Sequence, residues 1–306
     1  RLAARPGTPE YGALGVFVLK RRPSSHRDAQ SSDDQSIHPP IQPSNLPHHA
    51  TMQTSLEFLR PEQIIAARDA SGCAFVPVSP MFEWHGPHLP VGTDGIVSEA
   101  LCAIVAGRIG GVYLRTLPCG LDATRTPDEL KQWGLPPGAD VFGMRFPGLP
   151  VSCEYTDAAA MRAAVEARID ALRLTGFRHV FLVNHHGGKG QFALLDEIAA
   201  GATSEACRVH AVRTYQFNTL GAKWIGAGGH AGYSETHWVM AFRPELVRLE
   251  ALPEGALDVA GTGILHSEPV VPERFNPRNC SAAVATELRE AVVRAFEQHV
   301  RQMIGA

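Results

Sequence analysis

The stretch Phe181-Leu182-Val183-Asn184-His185-His186-Gly187-Gly188-Lys189 decides how the chain is read. Residues 179–183 form a short apolar run, bounded ahead by Gly176 and behind by Asn184 and paired glycines, the composition of a buried strand. The run ends abruptly in two histidines and two glycines, and a helical pattern opens at Gln191. Open α/β sheets hold their ligands in loops at the carboxyl ends of such strands. His185 or His186 can present a ring nitrogen there, and Gly187 and Gly188 let backbone come close to whatever is held.

The flanking sequence repeats the pattern. Pro61 opens a helix that runs through Arg68 and is stopped by Ser71-Gly72. An apolar strand over 73–79 runs into 80–88, a loop too rich in Pro and Gly to be regular. Asp94 is a candidate N-cap for an amphipathic helix over 95–108. A strand over 112–117 leads to an irregular segment, 118–150; connections longer than about 15 residues in a compact domain usually serve as a lid or pocket wall. Asp157 caps a helix over 158–174. After the central strand come a helix over 191–200, a strand over 208–215, a glycine-dense loop over 221–232 and a helix near 233–242. Irregular sequence over 250–280 precedes a last helix over 282–303. Strands alternating with helices imply a largely parallel sheet covered on both faces, an α/β fold.

Composition narrows the rest. Residues 1–51 carry Arg-Arg-Pro-Ser-Ser, Ser-Ser-Asp-Asp-Gln-Ser and Pro-Pro with little periodic apolar content, so a disordered leader is expected, with Met52 as a native start. A targeting peptide is the other reading of that leader. Residues 52–306 suit one α/β domain. A net charge of −3 offers no nucleic-acid or membrane surface, and no apolar run reaches the roughly 18 residues of a spanning helix. The six cysteines lie far apart without a C-x-x-C pair, as expected of buried thiols in a reducing cytoplasm.

Three loops carry the chemistry. The first holds Glu83 and His85, two apart and able to face one centre, with Asp94 beyond them. The second holds His185 and His186, and the third His230 and Glu235. Glu, His and Asp together are a set that zinc, manganese or iron accepts. Taken singly, each has a plainer explanation. Asp94 can be a cap, Glu235 a first-turn acid, and His230 a loop histidine or a proton carrier. Joint occurrence at strand-end loops favours one shared centre.

The strings are specific. Glu83-Trp84-His85-Gly86-Pro87-His88-Leu89-Pro90-Val91-Gly92-Thr93-Asp94 closely resembles the E-x-H-G-x-H-x-x-x-x-x-D signature of the creatininase family of metal-dependent amidohydrolases. Val183-Asn184-His185-His186-Gly187-Gly188 resembles that family's N-G-H-G-G loop, and Gly229-His230-Ala231-Gly232-Tyr233-Ser234-Glu235-Thr236 its H-x-G-x-x-E-T element. Phe146-Pro147-Gly148 is similar to a shorter marker, and all stand in the family's order.

The resemblance implies a three-layer α/β/α sandwich with a mostly parallel central sheet, two divalent ions per chain (zinc, manganese or iron) and a homo-oligomer. It implies that Glu83 and His186 hold one ion, that His85 holds the other, and that Asp94 bridges them. His230 matches the proton-moving histidine. Where creatininase has a second-motif Glu this chain has Gly188, which makes Glu235 the natural substitute; His185 stands where Gly is usual and is expected at the polar rim. A water made acidic between the ions would attack a small amide. The places of creatininase's two ring-gripping tryptophans are here Gln216 and about Gly226, and 121–146 is longer than expected for creatininase. The expected substrate is therefore a small amide, lactam or formamide whose C–N bond is hydrolysed, with Arg125 and Arg145 able to receive a carboxylate or phosphate. Creatinine hydrolysis itself, peptide trimming in an open groove, and a non-catalytic homologue are the alternatives.

Overall fold

The computed structural model describes residues 55–224 and 228–305; the leader 1–51 and Gly226 lie outside them. Four strands, β1 (Cys73–Pro77), β2 (Val112–Tyr113), β3 (His179–Asn184) and β4 (Arg208–Arg213), pair in the order β2-β1-β3-β4. Every pairing is parallel, with Cys73 opposite His179, Pro77 opposite Val183, and Asn184 opposite Arg213. All carboxyl ends therefore share one edge of the sheet.

Helices precede, connect and follow the strands. They are α1 (Pro61–Ser71), α2 (Thr93–Ile109), α3 (Pro127–Gln132), α4 (Ala158–Thr175), α5 (Gln191–Ala202), α6 (Tyr233–Phe242), α7 (Val259–Thr262) and α8 (Ala282–Ile304). Side chains alternate across a strand, which divides the core into two sheets of contact. Phe75, Phe181 and Val183 face one way, onto Leu101 of α2, Trp238 of α6 and Phe296 of α8. Val76, Val180 and Leu182 face the other way, onto Met161 and Ile169 of α4 and Leu195 and Ile198 of α5. Both faces are dry, so β3 reads Val-Phe-Leu-Val over 180–183 without alternation, as a central parallel strand should. Each large side chain buried in this way contributes about 1.5–3 kcal/mol. The result is a three-layer α/β/α sandwich. No helix among the described residues is long and apolar enough to cross a membrane.

Several local expectations are corrected. Regular pairing of β2 stops at Tyr113 instead of 117; beyond it only an isolated Val78–Leu117 bridge continues the ladder. Segment 118–150 is not wholly irregular. Thr126 accepts from the Glu129 N–H while the Glu129 carboxylate accepts from the Thr126 N–H, a reciprocal cap that nucleates α3. That segment also has its own small core of Leu130, Val141, Met144 and Phe146. Asp94 does not cap α2: Gly92 occupies the cap position and Asp94 lies in the first turn, its carboxylate turned toward imidazoles.

Candidate metal centre

Three loops at the shared strand edge build the site, and backbone contacts fix each one. After β1 the chain folds back so that the Glu83 N–H donates to the Val91 carbonyl at 2.9 Å. Nδ1–H of His85 donates to the Glu83 carbonyl at 3.0 Å, which leaves Nε2 as the bare nitrogen. After β3, the Asn184 side chain clamps the turn: Oδ1 accepts from the His186 N–H at 3.0 Å and Nδ2 donates to the His186 carbonyl at 2.8 Å. Before α6, Ala231 takes a positive φ of 54° and its N–H donates to Glu235 Oε2 at 2.5 Å. Glu235 thus does the work of a first-turn acid and still reaches the centre.

The carboxylates and imidazoles converge. His85 Nε2 lies 3.7 Å from Glu83 Oε2, 3.6 Å from Asp94 Oδ1 and 3.8 Å from Glu235 Oε2. His186 Nδ1 lies 3.0 Å from Asp94 Oδ2 and 3.3 Å from Glu83 Oε2. Asp94 therefore offers one oxygen to each histidine. Two groups of potential ligands share it, Glu83–Asp94–His186 and His85–Asp94–Glu235, with a third group formed by Glu83, His85 and His230.

The residues fit a pair of cations. Glu83 Oε2, Asp94 Oδ1 and His85 Nε2 are buried and accept or donate no hydrogen bond. Such orphaned polar atoms are rare unless something else satisfies them. Atoms that share one ion at 2.0–2.2 Å stand roughly 3–4 Å apart, which is the spacing here. The electrostatics agree. Burial works against a charged His85 ring, yet Asp94, Glu235 and Glu83 outweigh it and raise its pKa to about 9. Burial likewise opposes charge on His186, and Glu83 and Asp94 push it well upward. Burial, with Asp94 and Glu83 adding to it, raises Glu235 to about 7. Three carboxylates compete for too little positive charge, so protons stand where cations would.

His230 completes the wall. Its Nε2–H donates to the Trp84 carbonyl, its Nδ1 lies 3.8 Å from Glu235 Oε2, and its ring centre is 4.3 Å from that of His85. Burial and the neighbouring His85 lower its pKa to about 4. A cavity of about 390 Å³ opens over these groups, its lining completed by residues that include Asp122, Arg125, Trp133 and Met144.

Two expected positions fall elsewhere. His185 is fully buried; it points away from His186, bonds Thr214 Oγ1 through Nδ1 at 2.5 Å and stacks on Tyr215 at 4.4 Å, so it is no part of the polar rim. Arg145 is exposed and donates to the Cys153 carbonyl at 2.9 Å, outside the cavity wall. Two contributors went unseen in the sequence. Tyr155 donates its hydroxyl to Glu83 Oε1 and accepts from the Met144 N–H at 2.8 Å. Thr236 accepts from Nε2 of His88 at 2.8 Å and so ties the first motif to the third.

The family model described as creatininase, creatinine amidohydrolase, matches residues 57–299. A search of curated protein sequences gives no significant match. Among solved structures, a creatinine amidohydrolase (creatininase) superposes with a TM-score of 0.59 at 20% identity, covering 83% of this chain and 99% of that one. A manganese creatininase gives 0.58 at 18% identity, covering 83% and 100%. A putative creatinine amidohydrolase from Bacteroides fragilis NCTC 9343 gives 0.53 at 20% identity, covering 77% and 91%. Matched over most of its length by the family model and carrying that family's fold, the chain belongs to the creatininase family of metal-dependent amidohydrolases.

Proposed function

We propose that this chain hydrolyses the C–N bond of a small amide, lactam or formamide at a pair of divalent ions. Glu83 and His186 would hold one ion, His85 and Glu235 the other, and Asp94 both. One observation carries the reading: the two oxygens of Asp94 divide between two histidines inside two overlapping ligand groups. When bound, such ions supply an acidified water and a Lewis acid for the substrate carbonyl.

The chain's own residues set up the rest. The Glu83 carbonyl accepts from Nδ1–H of His85 and so fixes the ring, leaving Nε2 to ligate. Tyr155 holds Glu83 by its other oxygen. His230, with Nε2–H fixed on Trp84, keeps Nδ1 free as a proton acceptor beside Glu235. In the overall reaction the water oxygen joins the carbonyl carbon, the C–N bond breaks, and His230 hands a proton to the departing nitrogen. The cavity volume of about 390 Å³ is that of a small-molecule pocket, which favours this reading over peptide trimming. At Gly188 an added Cβ would stand 2.3 Å from the Leu121 carbonyl oxygen, so a carboxylate at the position creatininase uses has no room here, which leaves that part to Glu235.

Elemental analysis of purified protein tests the centre. Two ions per chain are expected, and Asp94→Ala should empty both sites; a full complement in that variant would refute the arrangement. His230→Ala should keep its metal and lose about 10²- to 10⁴-fold in turnover on whichever lactam or formamide the wild type cleaves. Loss of metal instead would make His230 a ligand, as the group it forms with Glu83 and His85 allows.

A further inference from the structure

The cavity lining contains a cation that the hydrolytic reading leaves without a task. The side chain of Arg125 is only 8% exposed, yet it lines the cavity, and it is the sole Lys or Arg among the described residues that do. Its Nε donates to the Gly143 carbonyl at 3.0 Å and one terminal nitrogen donates to Asp122 Oδ2 at 2.7 Å. The guanidinium carbon sits 5.5 Å from the Trp133 ring centre. The other terminal nitrogen, Nη1, has no protein partner among the described residues. A guanidinium almost removed from water, with one pair of N–H donors uncommitted toward a cavity, awaits an acceptor.

Asp122 fixes where that acceptor must lie. Its second oxygen accepts from the Lys189 N–H at 3.2 Å, three residues beyond His186. The arginine is thereby tied to the loop that presents His186, and the two ends of the cavity are held at a set spacing. The same cavity lining includes an apolar group: Trp133, Met144, Phe192 and Leu265.

We infer that Arg125 is a substrate-positioning residue that binds a carboxylate at the end of the substrate remote from the scissile C–N bond. The substrate class is then a short amide bearing a carboxylate across a small apolar spacer; this rests on the hydrolytic reading above. A phosphate fits less well. Asp122 already offsets much of the arginine's charge, only one nitrogen is available, and Glu83, Asp94 and Glu235 face the same space.

Hydroxamates, which chelate such ions, allow a test by titration calorimetry on the zinc-loaded protein without any turnover. The probes are acetohydroxamate, the monohydroxamates of succinate and glutarate, their methyl esters, and a phosphonate of matching length. One of the carboxylate probes should bind wild type about tenfold or more tightly than its ester. Arg125→Met should erase that preference while leaving acetohydroxamate affinity unchanged. Asp122→Asn, which keeps the arginine and removes its counter-charge, should enlarge the preference, and it serves if Arg125→Met fails to fold. Equal binding of acid and ester to wild type would overturn the inference and leave the metal centre standing. So would a weakening of every probe alike in Arg125→Met, the mark of a structural role, or tighter binding of the phosphonate. Failure of acetohydroxamate itself to bind would remove the metal centre and this inference together.

Discussion

Tyr155 stands 72 residues from Glu83 and decides how that carboxylate is aimed. Its hydroxyl donates to one oxygen of Glu83, leaving Oε2 to face His85 and His186. Among the described residues nothing else supplies that bond, and the same hydroxyl also accepts the Met144 N–H. Tyr155→Phe removes both contacts and keeps the ring. Partners that orient a metal ligand are worth about 10- to 100-fold in affinity. A loss in that range, read by competition with a chromogenic chelator while circular dichroism stays unchanged, is expected for the ion that Glu83 and His186 are proposed to hold; unaltered affinity would show that Glu83 needs no such support. Glu83 and His85 were legible in the sequence because a two-residue spacing in an extended loop is a local fact. Tyr155 was not, since no periodicity links a residue after one long segment to a loop before it. Asp94 was legible both as a candidate ligand and as a cap, because both roles ask for a carboxylate at a helix start; the fold puts Gly92 at the cap and Asp94 beside the imidazoles.

At the level of the element, the turn between β3 and α5 shows why two glycines stand together. A Cβ at Gly187 meets nothing within 4 Å, whereas one at Gly188 would lie 2.0 Å from His186 Nε2 and 2.3 Å from the Leu121 carbonyl oxygen. The backbone at Leu121 cannot yield, so the strain falls on the His186 ring and its 3.0 Å contact with Asp94. Gly188→Ala should cost about 1–3 kcal/mol in denaturant unfolding, as overpacking does, and about one metal ion per chain. Gly187→Ala is the matched control and should change neither. Equal behaviour of the two would mean the turn relaxes without disturbing His186. The sequence showed two glycines that let something approach; it took the fold to show that the approaching group is the 118–150 segment at Leu121. The strands and long helices of the sandwich were readable because burial on both faces of β3 leaves an unbroken apolar run. The short α3 was hidden inside a segment whose Pro and Gly content masks a single capped turn and a half.

Over the whole molecule, the centre links folding to protons and metal. In the stripped protein, Asp94, Glu235 and Glu83 overcome burial to hold the His85 pKa near 9, His186 is raised as well, and burial holds Glu235 near 7. At neutral pH both rings carry protons that divalent ions must displace, so loading should release about two protons per chain, and somewhat more below pH 7 where Glu235 is also protonated. The sign for stability follows. A histidine whose folded pKa lies above its unfolded value of 6.5 stabilises the stripped fold fully below that value, and this contribution fades as pH rises toward 9. Metal binding needs the rings neutral and runs the other way. The stripped protein should therefore lose stability between pH 6.5 and 9 while the loaded protein gains relative to it. Free metal at a thousand times its dissociation constant adds about 4 kcal/mol. Thermal melts with and without chelator at pH 6, 7 and 8 read the gap directly, and calorimetry in two buffers of different ionisation enthalpy counts the protons. A gap that widens with pH, with proton release near two, is the expected result. A gap independent of pH would mean the imidazoles are already neutral before metal arrives, and that the carboxylates around them are balanced by some other charge.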